Sequence, residues 1–365
     1  MKCFAKRKND IASLVFPEKI NIRKPNEIIK KLINNNFDSI AKPIDGMGEF
    51  ENIIARIGSI QESTDINIDK KALLVMCSDN GIVEEGVTQS PSDVTLKVAQ
   101  NILRGKSSAA VMAKKNNIDV FVVDMGINSN EEPDGIINRK IRKGTRNFHK
   151  DKAMTAEETL LAINVGIETV KEMSEKGYKI IALGEMGIGN TTTSSAVCAS
   201  LFDVNVKDVT GRGAGLDDEK LKKKISVIEE AVAKYDLKHA DVLDVLSSAG
   251  GYDIAALVGA CIGGAVYEIP IVLDGVITQT AGYAAARLYP EVRDYLFASH
   301  AGKEPSSELL LNALKITPVI KANMALGEGT GAVMFLALLD NALCVYKNAA
   351  KFDELKMKEY ERFEK

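Results

Sequence analysis

Histidine is scarce in this 365-residue chain, with three in all (His149, His239, His300), and the five cysteines (Cys3, Cys77, Cys198, Cys261, Cys344) stand far apart with no C-x-x-C pair. That excludes recognisable zinc-ligand spacing, argues against a disulfide framework, and makes a reducing cytoplasm the expected location. No metal or other cofactor is expected. Neither sign of charge is in excess, Lys plus Arg being 47 and Asp plus Glu 50. No basic field is therefore available to hold a polyanion, and nucleic acid is not an expected partner. The opening MKCFAKRKNDIASLVF is basic but lacks an apolar core of signal-peptide length. The richest apolar region, 254–277, is broken by Glu268, Pro270 and Asp274, and no stretch reaches about 18 apolar residues without interruption. A soluble protein with no membrane partner is expected.

What is present is alternation. Between residues 70 and 300, short apolar runs alternate with segments of helical period, the pattern of βαβ units around a parallel sheet. Strands are predicted at 71–79 (KALLVMCSD), 119–126, 178–185, 269–275 and 295–300. Helices are predicted at 92–104, 107–115, 155–176, 190–201, 217–235, 240–248, 252–267 and 276–288. Thr155, followed three residues later by Glu158, spells a capping box. Residues 127–147 are polar and turn-rich and read as an exposed excursion. Residues 22–62 and 306–365 are helical in period, and the charged last twenty residues, with Glu and Lys four apart, read as a solvated helix face. The fold class is α/β: a Rossmann-like parallel sheet with helices on both faces over 66–305, plus a small helical domain built from 1–65 and 306–365. Two packed units also suit a chain longer than the roughly 250–300 residues at which single cores stop growing.

In open α/β sheets, ligands bind beyond the carboxyl ends of the strands. Those ends read Ser78-Asp79-Asn80-Gly81, Asp124-Met125-Gly126, Gly184-Glu185-Met186-Gly187, Asp274-Gly275 and Ser299-His300. Singly, each Asp or Gly is as well explained by a turn; together they gather carboxylates where a ligand would lie. The stretch GEMGIGNTTT (184–193) nearly spells a nucleoside-triphosphate loop, but Asn190 stands where G-x-x-x-x-G-K-[ST] has lysine, and Glu185 lies inside the turn. Gly187 and Gly189 let the backbone approach a ligand, and the N–H groups that open the next helix at Asn190 and Thr191 attract an anion. A single phosphate can be held this way, whereas a triphosphate would miss its lysine. Taken alone, the stretch also fits a glycine turn capped by Asn190 or Thr191.

Two further glycine clusters carry charge. TGRGAGLDDEKLKKK (210–224) sets Arg212 beside Gly213, where a guanidinium suits phosphate oxygens, although an arginine in a surface linker fits as well. ALGEGTGAV (325–333) places Glu328 between glycines ahead of a long apolar helix, a setting that suits a general base, although the helix dipole alone also accounts for a carboxylate at such an N-terminus.

In this order, the chain resembles the nicotinate-nucleotide:dimethylbenzimidazole phosphoribosyltransferase family. The similar segments are SDNGIVEEGVTQSPSDVT (78–95), RKGTRNF (142–148), GEMGIGNTTTSSA (184–196), TGRGAGLDD (210–218), GGYDIAALVGA (250–260), IPIVLDGVIT (269–278), SHAGKEP (299–305) and LGEGTGA (326–332). The resemblance implies transfer of 5-phosphoribose from nicotinate mononucleotide to a 5,6-dimethylbenzimidazole-type base, giving α-ribazole 5′-phosphate and nicotinate for the cobalamin lower ligand. It also implies a homodimer of a Rossmann-like large domain and a small helical domain.

By the same resemblance, Glu328 is the general base that takes the acceptor's proton, and GEMGIGNTT with the RG-rich loop binds the nucleotide. Glu185 then serves the ribose, where positive charge develops as nicotinate leaves. Gly187, Gly189, Asn190, Thr191, Arg212 and Gly213 are expected at the phosphate. Asp79, Asn80, Gln89, Ser90, Asp274 and Ser299 complete the expected binding set, with Gln89 and Ser90 lining the base pocket. Many relatives carry histidine where this chain has Asn80. Related enzymes use adenine, other benzimidazoles or phenolic acceptors, so the base stays open. So does a heterodimer with a paralogue, or a non-catalytic role.

Overall fold

The computed structural model describes residues 20–362; Cys3 and the outermost parts of the expected helical domain, 1–19 and 363–365, lie outside the described residues. Six strands form one sheet: β1 (Lys71–Ser78), β2 (Ile118–Gly126), β3 (Ile137–Asn138), β4 (Ile180–Met186), β5 (Ile271–Leu273) and β6 (Leu296–Ala298). Every pairing is parallel and the order is β3-β2-β1-β4-β5-β6. Strand order thus reverses between β1 and β4. β1 is buried along its whole length, which its near-continuous apolar run requires of a central parallel strand.

Helices cover both faces. Ala156–Glu175 and Tyr252–Val266 lie against each other on one side with Val276–Leu288; Asp93–Leu103, Ser108–Lys115 and Thr330–Asn348 cover the other. The first pair approach at backbone distance, since a Cβ on Gly166 would sit 2.7 Å from Ala260 N. The capping box forms as read: Glu158 N donates to Thr155 Oγ1 at 3.1 Å, and Thr155 N to Glu158 Oε2 at 2.8 Å. The two ends of the described chain meet, Phe37 against Tyr346 (4.8 Å between ring centroids) and Phe50 against Phe335. Thr330–Asn348 is long and apolar enough by composition to cross a membrane, with mean hydropathy 1.3, yet half of that window is buried in the fold. Its Asp340 pairs with the buried Lys71 at 2.9 Å.

Two expectations are corrected. The 127–147 stretch is no free excursion: it contributes β3 and supplies partners to buried acids, Asn128 N to Asp79 (2.7 Å) and Lys140 to Asp124 (3.1 Å). Two carboxylates buried at adjacent strand ends need donors, and this loop carries them. The charged tail forms no helix over 349–362. It crosses instead to the end of the helix Glu27–Ser39, where Lys351 bridges Ile40, Phe352 is buried, and Arg362 pairs with Asp38 and Asp45. Burying one phenylalanine outweighs i,i+4 pairs worth a few tenths of a kcal/mol each.

Candidate active site

A cavity of about 300 Å³ lies beyond the carboxyl ends of β4 and β5, walled by the 185–191 turn, residues 274–278, 300–304 and the 324–328 loop. Glu185, next to last in β4, is buried and takes a hydrogen bond from the Asn190 amide. Burial pushes its carboxyl up to about 8, against that hydrogen bond and aided by the charges of Asp253, Asp274 and Glu328. Gly189, at φ +95°, lets the chain turn from strand into the helix Asn190–Phe202. Within the turn, Asn190 N donates to Gly187 O and Thr192 N to Gly189 O.

The cation missing from the turn comes from elsewhere. Lys224, wholly buried on the helix Asp218–Lys234, donates to Thr191 Oγ1 at 3.0 Å and to Gly211 O at 3.1 Å. Burial lowers its ammonium to about 8, Glu304 opposing the shift. It therefore still carries its charge at neutral pH behind a residue that lines the cavity.

Glu328 sits in the left-handed region (φ +59°) between two left-handed glycines, Gly327 and Gly329. Its Oε2 accepts from Ala109 N at 3.4 Å. Asp274 anchors this loop: its carboxylate accepts from Gly331 N (2.7 Å), Ala332 N (3.1 Å) and Gly329 N (3.3 Å) and so holds the N-terminus of Thr330–Asn348. Burial raises Asp274 to about 6 despite those donors. β4 comes so close that a Cβ on Gly184 would lie 2.5 Å from Glu328 O. The two glutamates are thereby brought to one wall.

Of the residues singled out in the sequence, Glu185, Gly187, Asn190, Thr191, Gly213, Asp274 and Glu328 line this cavity. Gln89, Ser90, Gly189 and Arg212 line a smaller one of about 90 Å³ across the 187–191 turn. There Arg212 donates to Leu216 O at 2.8 Å and pairs with Asp218. Asp79, Asn80 and Ser299 border neither. Asp79 receives the Thr95 hydroxyl at 2.7 Å, the Asn80 amide reaches Ile188 O at 3.4 Å, and Ser299 stands behind His300, which does line the main cavity. Burial lowers His300 below its usual value. Sequence reasoning missed Lys224 and Asp253. For Lys224 a signal existed: it stands three and four residues before Val227 and Ile228, on the stripe that faces the core.

Fold and cavity define an α/β protein with a carboxyl-lined site beyond the ends of its strands. A family model described as phosphoribosyltransferase matches residues 22–357. The nicotinate-nucleotide–dimethylbenzimidazole phosphoribosyltransferase of Acetivibrio thermocellus is 43% identical over 330 residues, 90% of this chain and 94% of that protein. Its namesake from Clostridium perfringens (strain ATCC 13124) is 44% identical over 329 residues, covering 90% and 91%. The crystal structure of CobT from Thermus thermophilus matches with TM-score 0.86 at 32% identity, covering 91% of this chain and all of that one. The chain belongs to the nicotinate-nucleotide–dimethylbenzimidazole phosphoribosyltransferase family.

Proposed function

We propose that this chain transfers the 5-phosphoribosyl group of nicotinate mononucleotide to a 5,6-dimethylbenzimidazole-type base, releasing nicotinate and forming α-ribazole 5′-phosphate for the cobalamin lower ligand. One observation carries the reading: Glu185 and Glu328 face a single cavity beside a turn backed by a buried lysine. The donor's phosphate is held at the 187–191 turn, with Lys224 behind Thr191. Its pyridinium leaves as a neutral ring, taking the electrons of the C1′–N bond, so no acid has to protonate it. Charge develops on the ribose instead, where the Glu185 carboxyl meets it. One ring nitrogen of the acceptor forms the new bond to C1′ from the opposite face, and Glu328 takes the proton from the other nitrogen.

Supporting a homodimer, Val111, Leu326, Met334 and Leu338 are large apolar residues left exposed on or beside two helices that touch, Ser108–Lys115 and Thr330–Asn348. We take 20–65 with 306–362 as the small helical unit beside the 66–305 sheet unit, and the cytoplasm as its location. Glu328→Gln is expected to bind nicotinate mononucleotide as the parent does, by calorimetry, while nicotinate release falls about 10²–10⁴-fold. Full-speed turnover would remove Glu328 from the base role. Offering the purified chain dimethylbenzimidazole, adenine and a phenol in parallel identifies the base.

A further inference from the structure

We propose that Asp253 is a positioning residue for Glu185: acting through the Asn190 amide, it fixes which carboxyl oxygen of Glu185 faces the ligand and how readily that carboxyl gives up its proton. This rests on the reading of Glu185 as the group that serves the ribose. Asp253 lies in the first turn of Tyr252–Val266, wholly buried and outside the cavity lining. The Asn190 Nδ2 donates to Asp253 Oδ2 at 3.2 Å and also to Glu185 Oε2. A single amide nitrogen thus spans two buried carboxyls. With Oε2 tied, Oε1 is the oxygen left toward the cavity loop, where a Cβ on Gly327 would lie 2.8 Å from it.

Asp253 has no room to swing. Ile254 N holds its Oδ1 at 3.0 Å, and a Cβ on Gly187 or Gly251 would come within 2.6 and 2.5 Å of its oxygens. The same hypothetical Cβ on Gly251 also meets Asn80 Oδ1, a buried acceptor with no hydrogen-bond partner. The cluster is therefore rich in acceptors. Neither Glu185 nor Asp253 has a cationic partner among the described residues. Burial raises both carboxyls, Glu185 to about 8 and Asp253 only to about 6, so Glu185 keeps its proton over a range in which Asp253 is ionised.

The groups facing Glu185 are Asp253 from the helix below, Asp274 after β5, Glu328 on the 325–329 loop, and Cys77 on β1, whose thiol burial keeps neutral. His300, Lys303 and Glu304 stand along the same cavity. Two of the contacts pull in opposite directions: the Asp253 charge disfavours ionised Glu185, and the Asn190 hydrogen bond favours it. A cationic pyridinium donor tips that balance toward the carboxylate, so Glu185 ionises when the donor is bound.

The test is the pH profile of kcat/KM for nicotinate release. Asp253→Asn keeps the size of the side chain, removes its charge and turns one of its two accepting oxygens into a donor, and its acidic limb should move down by about one pH unit. Asn190→Ser removes the bridging amide, and its limb should move up. Limbs that stay in place, or move the same way in both variants, would overturn the proposal, because a merely structural Asp253 lowers the plateau without moving the limb. If Asp253→Asn does not fold, the Asn190→Ser limb decides alone, circular dichroism confirming its fold. Glu185→Gln separates the two readings. Should it turn over at the parent rate, the role given to Glu185 fails; should it lose turnover while the limbs above stay put, only the relay fails.

Discussion

At the scale of single residues, charge without water does most of the work. Lys224 supplies the cation that the 184–193 turn lacks, from a helix more than thirty residues further on. Lys224→Gln should raise the KM for nicotinate mononucleotide about 10–100-fold, the loss of a charge-assisted hydrogen bond worth about 1.5–3 kcal/mol, and leave kcat largely alone. Steady-state kinetics with varied donor check this. Glu185 gives a stability signature as well. Its folded carboxyl titrates at about 8 against 4.5 when unfolded, so the stability it supports is complete below the lower value and is lost as pH rises through the higher. Glu185→Gln is neutral at every pH and should gain in thermal midpoint over the parent from about pH 5 to about pH 9. Midpoints that stay parallel would contradict the burial argument. That Glu185, Thr191 and Glu328 would sit around the strand-end cavity was legible in the sequence because glycines stand next to or near them at strand and helix ends. Asp253 was not, since its partners Asn190 and Glu185 are distant in sequence and only the fold brings them to it.

At the scale of elements, one carboxylate joins two of them. Asp274 at the end of β5 takes three backbone N–H groups from the start of Thr330–Asn348, and so holds the loop that carries Glu328 in its left-handed turn. Asp274→Ala leaves those donors unmet in a buried place, which should cost about 2–3 kcal/mol in urea unfolding and lower turnover as Glu328 loses its station. Unchanged stability would mean that the loop is held by its other contacts. Strands and helices were mostly legible to within a residue or two, because apolar runs and helical stripes report burial directly. β3 escaped because it is two residues in a polar stretch, paired only along β2. The tail misled because Glu–Lys spacing speaks for a helix, while the burial of Phe352 against distant segments leaves no trace in local pattern.

At the scale of the whole molecule, the exposed Met334 and Leu338, one turn apart on a helix otherwise half in the core, set the expected mode of self-association. Placing aspartate at both positions should leave the circular dichroism unchanged and shift sedimentation velocity from dimer to monomer. A parent chain that sediments as a monomer at micromolar concentration would sink that expectation. The sheet is not the expected seam, because its margins are the two-residue β3 and the three-residue β6. Neither border offers a ladder of spare amides long enough for a neighbour to zip onto. Crowded copies of this protein have little to nucleate fibrils along either border of the sheet, and must meet through side chains, a contact that can loosen again.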